Sequence, residues 1–210
     1  MGTMSKKGTV GRWGIVVLYV ALCGLYFLPI VAPYKLTYPL LALTLASLWS
    51  RTPSMLTLAL AFSALGDMLG AMGYLLPQIG AFAVAQVCYI VLLGRQIPKP
   101  VSLSRVALAS VLPLVLCVAA LMSTLPAVEG WFLGVGVVLY ALLIGAMVCV
   151  AMLSGGWLIR AGALLFMFSD FLLAYAIFVT PAPALLNVSL ALYFLGQLLL
   201  WSGAQNHRRR

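Results

Sequence analysis

Charge is scarce in this chain. Of its 210 residues 7% carry a formal charge and only three are acidic, where an ordinary soluble domain is about 25% charged. So little charge excludes a soluble globule and a disordered chain alike. Histidine is nearly absent too. The one present, His207, stands in a polar tail beside Arg208, Arg209 and Arg210, so no histidine-built metal site is expected. The four cysteines, Cys23, Cys88, Cys117 and Cys149, lie in apolar runs without a CxxC spacing and read as small packing residues rather than a disulfide framework or metal cluster. The net charge of +9 does not point to nucleic acid, because the basic residues stand in short clusters between apolar runs, as cytoplasmic loops do. No metal, organic cofactor or nucleic-acid partner is expected.

What fills the chain instead is apolar sequence, 65% of it, in runs of the length a helix needs to cross a bilayer, roughly 20 residues. Breaks at Pro33, the Ser50-Arg51-Thr52-Pro53 turn, Pro77, the loop from Arg95 to Arg105, Pro126, Ser154-Gly155-Gly156, and Pro181 with Pro183 divide it into eight runs. These cover residues 13–31, 34–49, 55–74, 79–93, 106–125, 131–153, 159–179 and 185–201. The runs are continuous rather than alternating, so helices are expected and barrel strands are not. The expected architecture is an all-α membrane protein: a bundle of eight transmembrane helices in one domain, 13–201, between basic cytoplasmic tails at 1–12 and 202–210. With both termini in the cytoplasm, eleven of the twelve basic residues fall inside and Lys35 alone falls outside, as the positive-inside bias demands. The cell's inner membrane is the expected location. Oligomeric state is not legible.

The acidic residues sort themselves by depth. Glu129, next to Gly130 and Trp131 in an outer connection, reads as a solvated carboxylate. Asp67 and Asp170 stand inside apolar runs, where an ionised aspartate costs about 2.5–3.5 kcal/mol. At a rise of 1.5 Å per residue, Asp67 is about 18 Å beyond residue 55 and Asp170 about 16.5 Å beyond residue 159, with both helices running outward. The two carboxyls therefore share one depth. Gly66 and Gly70 flank Asp67 in a GxxxG spacing that lets another helix approach. Gln86 and Tyr89 in the fourth run, and Ser189, Tyr193 and Gln197 in the eighth, fall on single helical faces near the same level. Together these residues are expected to ring a cavity. The third run with Asp67 and Pro77 also resembles the seventh with Asp170 and Pro181, 103 residues later. That correspondence points to a parallel 4+4 repeat about an axis along the membrane normal.

These residues resemble the YhhN-like family of eight-helix membrane proteins, whose characterised members are lysoplasmalogenases. The resemblance is carried by Phe62-Ser63 through Gly66-Asp67 with Leu69, by Gly162 to Phe166 through Ser169-Asp170 with Phe178, and by Tyr193 to Gln197. It implies hydrolysis of the vinyl ether bond of lysoplasmalogens, with Asp67 and Asp170 as the catalytic pair. Lys35, Ser63, Gln86, Tyr89, Ser169, Tyr193 and Gln197 are the expected substrate-binding residues. The chain departs from the family pattern at two places. Lys35 precedes Pro39 by four positions where the family has a Lys-Pro pair, and Gln86 stands where a histidine is often found.

The chemistry of the residues agrees with that implication. Vinyl ethers hydrolyse by protonation at the β-carbon and capture of the resulting oxocarbenium ion by water, which needs an acid and an anion. Two carboxyls in one low-dielectric cavity do not both ionise cheaply, so they are expected to share a proton and divide those roles, as in glycosidases. Which aspartate takes which role is left open, because such a pair titrates as a unit. A lysophospholipid in the bilayer is then the expected partner, with its phosphate near Lys35. The competing expectation is a proton- or cation-coupled transporter in which Asp67 and Asp170 bind the ion. A third is a non-enzymatic lipid-binding or assembly protein.

Overall fold

The computed structural model describes residues 6–29, 34–50, 52–154 and 156–207, with the backbone alone for 6–12 and 206–207. The end of the first expected span at residues 30–31, Pro33, Arg51, Gly155 and the Arg208 to Arg210 cluster lie outside the described residues. So do the side chains of Lys6, Lys7, Arg12 and His207.

Among the described residues all regular structure is helical: α1 (Lys6–Phe27), α2 (Tyr38–Trp49), α3 (Ser54–Ala71), α4 (Leu75–Gly94), α5 (Leu103–Thr124), a single 3₁₀ turn (Leu125–Ala127), α6 (Trp131–Ser154), α7 (Trp157–Phe178) and α8 (Pro183–His207). The helices α3 to α8 are long and apolar enough to cross a membrane, and the protein is a multi-pass α-helical membrane bundle. Two ends follow from proline chemistry. Pro77 lies in the first turn of α4 and Pro183 opens α8, where the missing N–H has no partner to lose. Both helices therefore begin earlier than the proline breaks suggest. Gly73, at φ +81°, closes α3, with the Tyr74 N–H reaching the Leu69 carbonyl at 2.9 Å. Only glycine takes that conformation without cost, so α4 starts again at once.

The second span is shorter than expected. Its first residues, 34–37, form a turn, because Tyr34 sits at φ +59°, outside the right-handed helical region. The 12 residues of α2 reach only about 18 Å, well short of a hydrocarbon core of about 30 Å. Of α1, 22 residues long, the apolar part with described side chains is Trp13–Phe27. The bundle thus has eight helices among the described residues, of which six are spans by length and composition.

Helices pair along the chain, α3 with α4 and α7 with α8 most extensively. Such sequential pairing arises in any up-and-down bundle, and the packing of α4 on α6 has no equally large partner between α8 and α2. The two tight pairs are built differently. A Cβ on Gly196 would stand 2.9 Å from the Gly162 carbonyl oxygen, and one on Gly162 would stand 2.8 Å from the Gly196 oxygen, so α7 and α8 touch backbone to backbone. Gly66 and Gly70 of α3 instead accept side chains of α4, the Phe82 ring and the Gln78 amide. Between the pairs, Phe82, Phe166 and Tyr193 meet edge to face at centroid distances of 5.3 to 6.4 Å. Outside this core, α5 shows Leu108, Leu112, Val115 and Met122 exposed, as a lipid-facing helix does.

Candidate active site

The aspartates occupy equivalent places. Asp67 is thirteen residues into α3 and Asp170 thirteen into α7, about 20 Å from each helix start. Both line one cavity of about 460 Å³ between α3, α4, α7 and α8, closed on one side by Tyr26 of α1 and the Tyr34–Leu36 turn. Asp67 is buried, 2% exposed, whereas Asp170 is partly exposed.

Each carboxyl has a tyrosine. Tyr193 of α8 donates to Asp67 Oδ2 at 3.1 Å. Tyr140 of α6 donates to Asp170 Oδ2 and accepts from Gln86 Nε2 at 3.3 Å. Ser169 donates to Asp170 Oδ1 at a weak 3.4 Å, while Ser189 donates to the Ser169 carbonyl at 2.8 Å and so ties α8 to α7 at this level. Phenol donors lower the cost of placing carboxyls in an apolar bundle without neutralising them. Gln86 Oε1 is buried without a hydrogen-bond partner among the described residues. No three His, Cys, Asp or Glu side chains among the described residues gather where one metal ion would bind.

At the mouth, Lys35 donates to the Leu28 carbonyl at 2.9 Å and lies 5.4 Å from the Tyr26 ring centroid. A cation at the rim of a largely apolar cavity gives the space a polar and an apolar end.

Of the residues singled out from sequence, the structure brings Lys35, Asp67, Ser169, Asp170, Ser189 and Tyr193 to one cavity. Gln86 stands behind Tyr140. Ser63, Tyr89 and Gln197 stand back from the wall and bond one another instead: Tyr89 donates to Gln197 Oε1 at 2.6 Å and Gln197 Nε2 donates to Ser63 Oγ at 3.1 Å. This buried chain joins α4, α8 and α3 beneath the aspartates. Replacing Gln197 with leucine leaves two buried hydroxyls without their partner, so the fold should lose about 1–2 kcal/mol. Thermal unfolding in detergent measures it.

Two residues of the site, Tyr140 and Gln78, are not singled out by the sequence. Tyr140 lies in an otherwise apolar stretch of the sixth run, with no polar neighbour at helical spacing to mark it. Depth is the signal that could find it. It is nine residues from the start of α6, and Asp170 is eight from the end of α7, so both lie about 12–14 Å from the same end of the bundle. Gln78 reaches the cavity because α4 begins at Leu75, before Pro77.

A model of the YhhN family matches residues 30–204, most of the chain and all of the cavity-lining helices except α1. No curated protein and no solved structure matches the sequence.

Proposed function

The chain belongs to the YhhN family, and from that membership and the cavity we propose that it is an intramembrane hydrolase cleaving the vinyl ether bond of lysoplasmalogens to a fatty aldehyde and a glycerophospho-alcohol. The observation that carries the reading is that Asp67 and Asp170, from different helices, open onto one cavity with a cation at its mouth. The scheme takes one carboxyl protonated and the other ionised, the division that one low-dielectric cavity favours. The protonated member gives its proton to the β-carbon of the alkene, whose π electrons form the new C–H bond. The ionised member stabilises the oxocarbenium ion and takes a proton from the water that attacks it. The resulting hemiacetal loses its hydroxyl proton to the first carboxylate. As its C–O bond breaks, the glycerol oxygen takes a proton from the second carboxyl. Both groups return to their starting states, and the sum is one vinyl ether plus one water giving one aldehyde plus one alcohol.

Tyr193 and Tyr140 fix the carboxyl orientations in this scheme. Lys35 is suited to the phosphate, a charge-assisted contact at the interface.

Two measurements test the reading. In D₂O the purified protein should release aldehyde carrying one deuterium on the carbon next to the carbonyl, because that proton comes from solvent through a carboxyl. Aldehyde without deuterium, or no aldehyde at all, contradicts the scheme. Tyr193→Phe keeps the ring contacts with Phe82, Phe166 and Phe194 and removes only the bond to Asp67. Turnover, measured well below the melting temperature, should fall about tenfold, the worth of a hydrogen bond to a charged group, while the melting temperature drops because a buried carboxyl loses a donor.

A further inference from the structure

A second, apolar groove lies against the cavity. Between α4 and α7, over Val137 and Tyr140 of α6, runs a groove of about 80 Å³ whose walls include Leu75, Ile79, Ala174 and Phe178. It adjoins the main cavity: Gln78, Phe82, Asp170, Leu173 and Ile177 line both. Asp170 thus stands in the wall between the two, with Lys35 on the side of the main cavity and a largely hydrocarbon groove on the other. Most groove residues are half-exposed and Ile177 is 39% exposed, so the groove opens on the flank of the bundle, where lipid lies.

We propose that this groove is the acyl-chain subsite: the first methylenes beyond the vinyl ether lie between α4 and α7, and the rest of the chain stays in the bilayer. The inference rests on the lysolipid reading of the cavity. A lysolipid has a polar head and one long chain diverging from the reacting bond. A cavity with a cation at its rim and an apolar groove beside it, with a carboxyl lining both, matches that division. The groove also explains how a substrate with a long tail reaches buried carboxyls without leaving the membrane, and gives the aldehyde a lateral exit. It assigns chain-length selectivity to Val137, Ala174 and their neighbours.

The test compares kcat/KM for a long-chain and a very short-chain alkenyl glycerophospholipid. Filling the groove with Ala174→Trp, or with the milder Val137→Phe, should lower the long-to-short ratio at least about tenfold, as loss of two buried methylenes at about fourfold each implies. Leu112→Trp on the lipid-facing side of α5 should leave the ratio unchanged. If the wild type releases aldehyde and neither groove variant moves the ratio, the subsite is wrong and the proposed activity stands. If the wild type releases none from either substrate, the activity fails and the groove is judged by labelling alone. A lysolipid with a diazirine within its first methylenes should crosslink to Leu75, Ile79, Val137 or Phe178, and Ala174→Trp should block it. Crosslinks confined to other helices overturn the proposal.

Discussion

Asp170→Asn and Asp67→Asn should each reduce aldehyde release from a lysoplasmalogen by at least about a hundredfold, the lower end of what a positioned acid or base contributes. The substitution is nearly isosteric, and the amide oxygen still accepts from Tyr140 or Tyr193, so the loss is of proton transfer and not of shape. Stability should move the other way or not at all. A neutral amide is cheaper inside a bilayer than a carboxyl that must ionise, so both variants should purify as well as the wild type and melt no lower. That opposition separates a catalytic role from a structural one, in which loss of the carboxyl would cost stability. The double variant should be about as inactive as either single one, because a pair sharing one proton acts as a unit. Near wild-type turnover in either single variant would sink the two-carboxyl scheme. Loss of substrate-independent proton or sodium flux in liposomes, with aldehyde never seen, would favour ion coupling instead.

Helix rise and run length alone isolate these two aspartates, so their shared depth is legible in the amino-acid sequence. Hydropathy locates the helices for the same reason. Two features are not legible there. The first is the turn at Tyr34, set by a left-handed backbone at a residue whose type does not announce it, and it removes about a turn from the second expected span. The second is which way each polar residue faces. Gln86, Tyr89 and Gln197 satisfy the spacing of a cavity face, yet Gln197 bonds Tyr89 and Ser63 while Gln86 supports Tyr140. Helical spacing fixes relative direction along one helix. The rotation of that helix against its neighbours comes from contacts such as Gly162 on Gly196, and those join residues far apart in the chain.

Those glycines support the other large expected effect. Gly196→Ala should destabilise the protein by about 1–3 kcal/mol, the range for overpacking a close-packed interface, and Gly162→Val should give little folded protein. A Cβ on either residue meets backbone, with the Gly162 oxygen at 2.9 Å and the Phe166 nitrogen at 3.0 Å from the one on Gly196, so no rotamer change relieves the clash and the helices must part. Gly66→Ala meets only the Phe82 ring, at 2.8 Å, which has a side-chain torsion to yield, so its cost should be smaller. Gly80, with nothing within 4 Å of an added Cβ, is the neutral control. Parting α7 from α8 also acts on the site. Asp170 and Ser169 ride on α7, Ser189 and Tyr193 on α8, and the Ser189 bond to the Ser169 carbonyl crosses that seam. Gly196→Ala should therefore lower aldehyde release along with the melting temperature, whereas the asparagine variants lower release alone. Thermal unfolding and turnover measured on one set of preparations distinguish the two patterns. Equal melting temperatures for Gly196→Ala and Gly80→Ala would show that the backbone contact does not hold the seam.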